Sequence, residues 1–109
     1  MDLTTALLTL SALSNETRLW IFRLLVQAGP SGMSAGDIAD SLSSPQNTVS
    51  NHLKQLSQAG LIARKRLGRS LIYSANFTIV RELVLFLMQD CCAGQREVCA
   101  PVAAALGNP

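Results

Sequence analysis

The strongest constraint on the fold is a three-residue break, Ser43-Ser44-Pro45, between two stretches of helical periodicity. Ser44 can cap the second helix, and Pro45 suits the first helical position, where no N–H donor is needed. Gly60 predicts the end of that helix. Two helices joined by so short a turn predict a helix-turn-helix. The apolar residues that recur at three- and four-residue spacing are Ile38, Ala39 and Leu42 before the break, and Val49, Leu53 and Leu56 after it.

Two further helices are predicted on the N-terminal side of this motif. Apolar residues at three- and four-residue steps between Leu3 and Leu13 indicate an amphipathic helix. The second helix follows a break at Ser14-Asn15 and stops at Gly29-Pro30. Residues 31–33 are expected to form a loop, after which Ser34 caps the first helix of the motif. The apolar face expected for the second helix consists of Leu19, Phe22, Leu25 and Val26.

The C-terminal side predicts a hairpin and a last helix. Residues 61–66 and 69–74 are strand candidates joined through Leu67-Gly68. A helix from about residue 76 to residue 90 is apolar on most sides, so it needs cover from the core and from a second subunit. The predicted fold is a mainly α winged helix-turn-helix with about five helices and a two-stranded wing. Residues 1–90 would form the domain, and residues 91–109 a cysteine-bearing tail.

The composition of the 109-residue chain indicates one domain. Hydrophobic residues make up 49% of the chain, more than one small core needs, which favours a homodimer with an apolar interface. The longest apolar stretch, residues 83–88, is too short to span a membrane. The first leucines follow Asp2 and have no basic residues before them, so we do not expect a signal peptide. We therefore expect a cytoplasmic protein without a membrane partner.

The net charge of +2 hides a separation of charge along the chain. Residues 41–81 contain no Asp or Glu and carry a charge of +6, whereas the rest of the chain carries −4. This separation indicates a surface that meets a polyanion, although a solvated basic face is the alternative. The six cations of the segment are Lys54, Arg64, Lys65, Arg66, Arg69 and Arg81.

The outer face of the helix after the turn favours contact with double-stranded DNA. It displays amides, hydroxyls and one cation without an acid, whose charge phosphates would repel. His52 is expected either to touch phosphate or to help packing. The candidates for reading bases are Gln46, Asn47, Ser50 and Asn51, with Thr48 beside them. The candidates for holding phosphates are Lys54, Arg64, Lys65, Arg66 and Arg69.

The three cysteines of the chain, Cys91, Cys92 and Cys99, lie within nine residues. Three thiolates without an imidazole select soft ions. Trivalent arsenic or antimony needs only three sulfurs, whereas structural zinc prefers four ligands. A disulfide switch would need only two of the thiols, and buried apolar cysteines would need no ligand at all. Because His52 is the only histidine, the cysteines have no general base, and we expect neither an enzyme nor an organic cofactor.

Several motifs resemble the ArsR/SmtB family of metal-responsive repressors. They are residues 12–19 (ALSNETRL), 48–56 (TVSNHLKQL), 59–62 (AGLI) and 66–69 (RLGR), with Tyr73 after the last. The resemblance implies a winged-helix homodimer whose first and last helices form the interface. It also implies a repressor that ligand releases from its operator.

The ligand sites of this family vary, and two of them are missing from this chain. Residues 34–41 lack the Cys-x-Cys pair that some members carry there, and the single histidine excludes an interfacial histidine–carboxylate zinc site. The cysteine cluster resembles the C-terminal three-cysteine sites of some arsenite-sensing members. We therefore predict a repressor induced by arsenite or antimonite. The alternatives are a repressor that responds to thiol oxidation or to Cd or Zn, and a winged-helix module that binds an acidic protein.

Overall fold

The computed structural model describes residues 1–89 together with residues 101, 104 and 105. The described elements are, in chain order, α1 (Leu3–Leu13), α2 (Glu16–Ala28), a short 3-10 helix (Gly29–Ser31), β1 (Met33–Ser34), α3 (Ala35–Leu42), α4 (Gln46–Gln58), β2 (Ile62–Leu67), β3 (Ser70–Ala75) and α5 (Phe77–Met88). This order confirms the predicted winged helix-turn-helix, in which α3 and α4 form the motif and β2 and β3 form the wing. None of the described helices is long and apolar enough to cross a membrane.

Short polar side chains fix where several helices begin. Asn15 Oδ1 accepts from the Arg18 amide at 3.0 Å, and Ser34 Oγ accepts from the Asp37 amide at 3.1 Å, which confirms both predicted starts. Asp2 caps α1 in the same way, and its hydrogen bonds with Thr5 hold the pKa of this carboxyl below its ordinary value.

The start of α4 differs from the prediction by one residue. Pro45 occupies the capping position, not the first helical position, and has no side-chain acceptor to offer. Ser44 does not cap the helix, because its hydroxyl donates to the Leu42 carbonyl at 3.3 Å. Asn47 supplies a side-chain acceptor for the first turn instead, since its Oδ1 accepts from the Thr48 amide at 2.9 Å. A candidate for base reading therefore also supports the first turn of the helix.

The wing gains a third strand from Met33, predicted to be loop, and Ser34, predicted only to cap the next helix. The strand order is β1-β3-β2, and Met33 pairs with Tyr73 while Ser34 pairs with Ile72. A two-residue strand is too short to show alternation, so its residues carry no local signal. Because Ser34 also caps α3, β1 joins the wing directly to the helix-turn-helix.

The core lies beneath α4 and is aliphatic. The predicted stripe of α4, Val49, Leu53 and Leu56, is at most 1% exposed. It packs with α2, where the inward face is centred on Ile21, Phe22 and Leu25. The prediction that Leu19 and Val26 share that face is wrong, because they are 45% and 39% exposed. Ile21, one turn before Leu25, occupies the buried position instead.

Leucines on α1 and α5 remain exposed to solvent. Within α1 only Ala6 and Thr9 are buried, and within α5 only Leu83 is buried. The last helix is also shorter than predicted, since Asn76 caps it and it ends at Met88. The exposed leucines of these two helices are Leu3, Leu7, Leu8, Leu10, Leu85 and Leu87. The single chain leaves these apolar side chains uncovered.

Candidate nucleic-acid interface

The outward face of α4 carries the polar residues singled out in the sequence. Because Val49, Leu53 and Leu56 point into the core, the opposite side of the helix faces solvent. The exposed residues there are Gln46, Asn47, Thr48, Ser50, Asn51 and Lys54. This face presents amides and hydroxyls together with one ammonium group, and it includes no carboxylate.

His52 lies at the edge of this face and differs from its neighbours. It is only partly exposed, and its Nδ1 is the one buried side-chain nitrogen or oxygen without a hydrogen-bond partner in the described part of the chain. Because Nδ1 faces the protein, only Nε2 of His52 is left for a phosphate contact. Packing and phosphate contact both stay predictions for this residue.

The wing places its arginines toward α4. Arg64 lies opposite Tyr73 across the β2–β3 ladder, and Arg66 lies opposite Leu71, so these four side chains share one face of the wing. Lys65 pairs with Ile72 and lies on the other face. Arg69 lies in the turn at the tip, directly after Gly68, whose φ is 64°. All four cations of the wing are exposed.

Two clefts separate the wing from the helix-turn-helix, and Tyr73 and Ser50 line both. The first, of about 490 Å³, is lined by Ser50, Lys54, Ser57, Gln58, Ile62, Arg64 and Tyr73. The second, of about 410 Å³, is lined by Ser34, Ala35, Gly36, Gln46, Ser50, Arg69, Ser70, Leu71 and Tyr73. The first cleft has two cations in its lining and the second has one, both contain hydroxyl groups, and neither has a carboxylate. Such an arrangement can hold anionic groups such as phosphates.

Sequence reasoning missed several residues that line these clefts. Tyr73 was identified in the sequence only as part of the family motif. Its pairing with Arg64 across the β2–β3 ladder places it at the centre of this surface. Ser57 and Gln58 belong to the last turn of α4, and Ser70 belongs to β3. A helical projection of α4 continued to its end would have suggested Gln58. The position of Tyr73 depends on strand register and is not a local signal.

The predicted sulfur site lies elsewhere. Cys91, Cys92 and Cys99 lie outside the described residues. Within residues 1–89, 101, 104 and 105, no group of three or more His, Cys, Asp or Glu side chains could hold a metal ion. The described helix that precedes them in the sequence is α5, which ends at Met88.

Known helix-turn-helix regulators are similar to this chain in sequence and in architecture. Residues 13–65 match a protein-family model described as a helix-turn-helix domain. The transcriptional repressor SdpR of Bacillus subtilis (strain 168) is 32% identical over 87 residues, which span 80% of this chain and 93% of SdpR. An ArsR-like transcriptional regulator from Rhodococcus sp. RHA1 superposes with a TM-score of 0.73 at 25% identity, over 94% of this chain and 93% of that one. This chain belongs to the ArsR/SmtB-type family of helix-turn-helix transcriptional regulators.

A third relative adds detail on assembly in this family. The homodimeric winged helix-turn-helix DNA-binding domain of Mb0332 from Mycobacterium bovis, a possible ArsR-family regulator, superposes with a TM-score of 0.66. The identity is 26%, and the alignment covers 79% of this chain and 78% of that domain. As an ArsR/SmtB-type regulator, the present chain is a DNA-binding protein, and the surface formed by α4 and the wing is its candidate DNA interface.

Proposed function

We propose that this protein is a homodimeric transcriptional repressor that binds operator DNA and that arsenite or antimonite releases. The observation that carries the proposal is the acid-free polar surface shared by α4 and the wing. Its cations would displace counterions from phosphates, which supplies affinity for any duplex. Its amides match the donor and acceptor pattern of base edges in the major groove, which supplies specificity.

The geometry suggests a division of labour on DNA. The α4 helix would enter the major groove with Gln46, Asn47, Ser50 and Asn51 toward the base edges and Thr48 beside them. Arg64 and Arg69 line the clefts between α4 and the wing, where Tyr73 can add a hydroxyl donor to a phosphate. Lys54, Lys65 and Arg66 would hold neighbouring phosphates. SdpR, which is named a repressor, supports repression as the mode of action.

The exposed leucines of α1 and α5 support a homodimer. Leu3 and Leu7 are 63% and 58% exposed, and Leu85 is 62% exposed. An apolar surface of this kind gains free energy when a second copy covers it. The homodimeric state given for the Mycobacterium bovis relative is consistent with this arrangement. Two-fold symmetry would set two recognition helices in successive major grooves of a pseudo-palindromic operator.

The proposed inducer follows from the chemistry of Cys91, Cys92 and Cys99. Arsenous acid exchanges its three hydroxyl groups for three thiols, releasing three waters, without any change in oxidation state. Three sulfurs satisfy the trivalent ion, and soft thiolates bind it in preference to hard ligands. The cysteines follow α5 in the chain, so ligation can shift α5 and re-space the recognition helices. Release requires that the ligand bind the DNA-incompetent state more tightly.

The decisive experiment measures operator affinity with and without arsenite under reducing conditions. Cys91→Ser, Cys92→Ser and Cys99→Ser should each blunt the response and leave ligand-free DNA binding intact, whereas Ala93→Ser, within the same segment, should behave like the parent. X-ray absorption of the arsenic-loaded protein should show three sulfur neighbours. Release by peroxide but not by arsenite would identify a thiol-redox repressor, and release by Cd(II) or Zn(II) alone would identify a different soft-metal sensor. Failure to bind any duplex would exclude a repressor and favour the alternative of a winged-helix module that binds an acidic protein.

A further inference from the structure

Asn76 joins three elements at one point of the fold. It lies between the end of β3 at Ala75 and the start of α5 at Phe77. Its Oδ1 accepts from the Ile79 amide at 3.4 Å and so caps α5. Its Nδ2 donates to the Gly60 carbonyl at 3.0 Å, and its backbone amide donates to the Leu61 carbonyl at 2.9 Å. One side chain therefore spans α5 and the segment that leaves α4.

The hydrogen bonds of the Asn76 side chain to Ile79 and Gly60 form a bridge between two segments. At one end of this bridge, Gly60 follows the recognition helix α4. Gly60 adopts a φ of 77°, and its amide donates to the Ser57 carbonyl at 3.0 Å. The Leu61 amide donates to the Leu56 carbonyl at 3.1 Å, and Leu61 itself is fully buried. These bonds fix residues 60 and 61 to the last turn of α4. These bonds provide a route by which a displacement at Gly60 reaches the last turn of the recognition helix.

The other end of the bridge lies in α5, the helix that carries the exposed leucines Leu85 and Leu87. In the described residues, α5 lies against α1. Ile79 and Val80 pack against the core, whereas Leu85 and Leu87 stay exposed further along the helix. The side-chain carboxamide of Asn76 thus adds specific hydrogen bonds to this packing. These bonds connect α5 to the segment that follows the DNA-reading helix.

We propose that Asn76 is a positioning residue that couples the placement of α5 to the placement of α4, so that a shift of α5 is felt at the DNA interface. The proposal rests on the proposed function in two respects: α4 contacts DNA, and α5 precedes the cysteines proposed to bind the inducer. Coupling of this kind is reciprocal, so DNA bound at α4 must also stabilise α5. The coupling can therefore be measured without any inducer.

The test compares side chains that keep the cap but lose the bridge. Asn76→Asp retains an oxygen that accepts from the Ile79 amide, but it places a carboxylate oxygen against the Gly60 carbonyl where a donor stood. Asn76→Ser removes the donor without adding charge, and serine remains a good cap. Asn15→Asp is the matched control, because Asn15 caps α2 through the same atom and the change has the same chemistry.

The first readout is hydrogen exchange of the amides of residues 79–83, with and without a duplex that the protein binds. DNA should slow exchange there several-fold in the parent and in Asn15→Asp, and by less than about twofold in both Asn76 variants. The second readout is the factor by which arsenite lowers operator affinity. Couplings between sites are commonly about 5- to 150-fold, and this factor should fall at least fivefold in the Asn76 variants.

The outcomes separate this proposal from the assignment of the ligand. DNA-dependent protection of α5 that survives in both Asn76 variants overturns the coupling role, as does its absence in the parent. A parent that ignores arsenite, but whose α5 protection depends on Asn76, overturns the arsenite assignment and supports the coupling. If Asn76→Asp fails to fold, Asn76→Ser carries the comparison alone, since it introduces no charge.

Discussion

Gly32 lies against the backbone of Tyr73: a Cβ added to Gly32 would stand 2.2 Å from the Tyr73 carbonyl oxygen. It would also stand 2.9 Å from Cγ2 of Ile72. Gly32 has a φ of 67° and directly precedes β1, whose Met33 pairs with Tyr73. The absence of a side chain at this position lets the helix-turn-helix approach the wing closely enough for β1 to join the sheet.

We expect Gly32→Ala to destabilise the protein by more than its backbone conformation alone explains. Gly32 has a φ of 67° and a ψ of −167°, a backbone region almost restricted to glycine, which costs alanine about 1–3 kcal/mol. The contact with Tyr73 adds a clash that only movement of β3 can relieve. Gly29→Ala is the control, because Gly29 has a φ of 72° and a Cβ added there would meet no atom within 4 Å. Urea unfolding measures both losses. Equal losses for the two variants would contradict the role assigned to the Gly32 contact.

Local signals made the helices of this protein predictable. The starts at Asn15 and Ser34 follow from side-chain oxygens that accept amides three residues on, and this chemistry is visible in the sequence. The buried stripe of α4 follows from its helical periodicity. The surface opposite that stripe was therefore also predictable, including exposed Asn51 and Lys54.

Non-local signals were not readable in the same way. The strand β1 exists because Met33 meets Tyr73, forty residues away in the chain, and two residues carry no alternation of their own. The apolar residues of α2 surround much of the helix, so its sequence did not decide whether Leu19 or Ile21 faces inward. The central place of Tyr73 in the interface depends on its register with Arg64, which only the folded sheet defines.

The arginines of β2 should control how DNA affinity depends on salt. Each phosphate contact contributes a slope of about 0.9 in a plot of log affinity against log salt, so replacing both Arg64 and Arg66 with Ala should flatten the slope by up to about 2. Affinity should fall on operator and random duplexes alike. Arg23→Ala, which removes an exposed cation of α2, should leave the slope unchanged. Titrations at several salt concentrations make the comparison, and a double variant with the parental slope would remove these arginines from the phosphate contacts.

Asn51 should contribute to sequence specificity. It is exposed on α4, and an asparagine can make two hydrogen bonds to one adenine in the major groove. Asn51→Ala should therefore reduce discrimination between operator and scrambled DNA by about 1–3 kcal/mol. Asn47→Ala should in addition weaken the start of α4, because Asn47 Oδ1 accepts from the Thr48 amide. Affinities on both duplexes, with a melting curve for each variant, separate the two effects. An equal loss on both duplexes would exclude Asn51 from base reading.

Leu7 should be essential for dimer formation although it contributes little to the core of one chain. It is 58% exposed on α1, and Leu67 at the tip of the wing is similarly exposed at 65%. If a second copy covers α1, Leu7→Glu buries a carboxylate without a partner, which costs several kcal/mol, whereas Leu67→Glu leaves its charge in water. Sedimentation equilibrium at micromolar concentration should show a monomer for Leu7→Glu and a dimer for Leu67→Glu. Operator affinity of Leu7→Glu should fall with dimerisation, because one recognition helix then meets only one half-site. A Leu7→Glu protein that remains a dimer would place the interface away from α1, and the leucines of α1 would then need another partner.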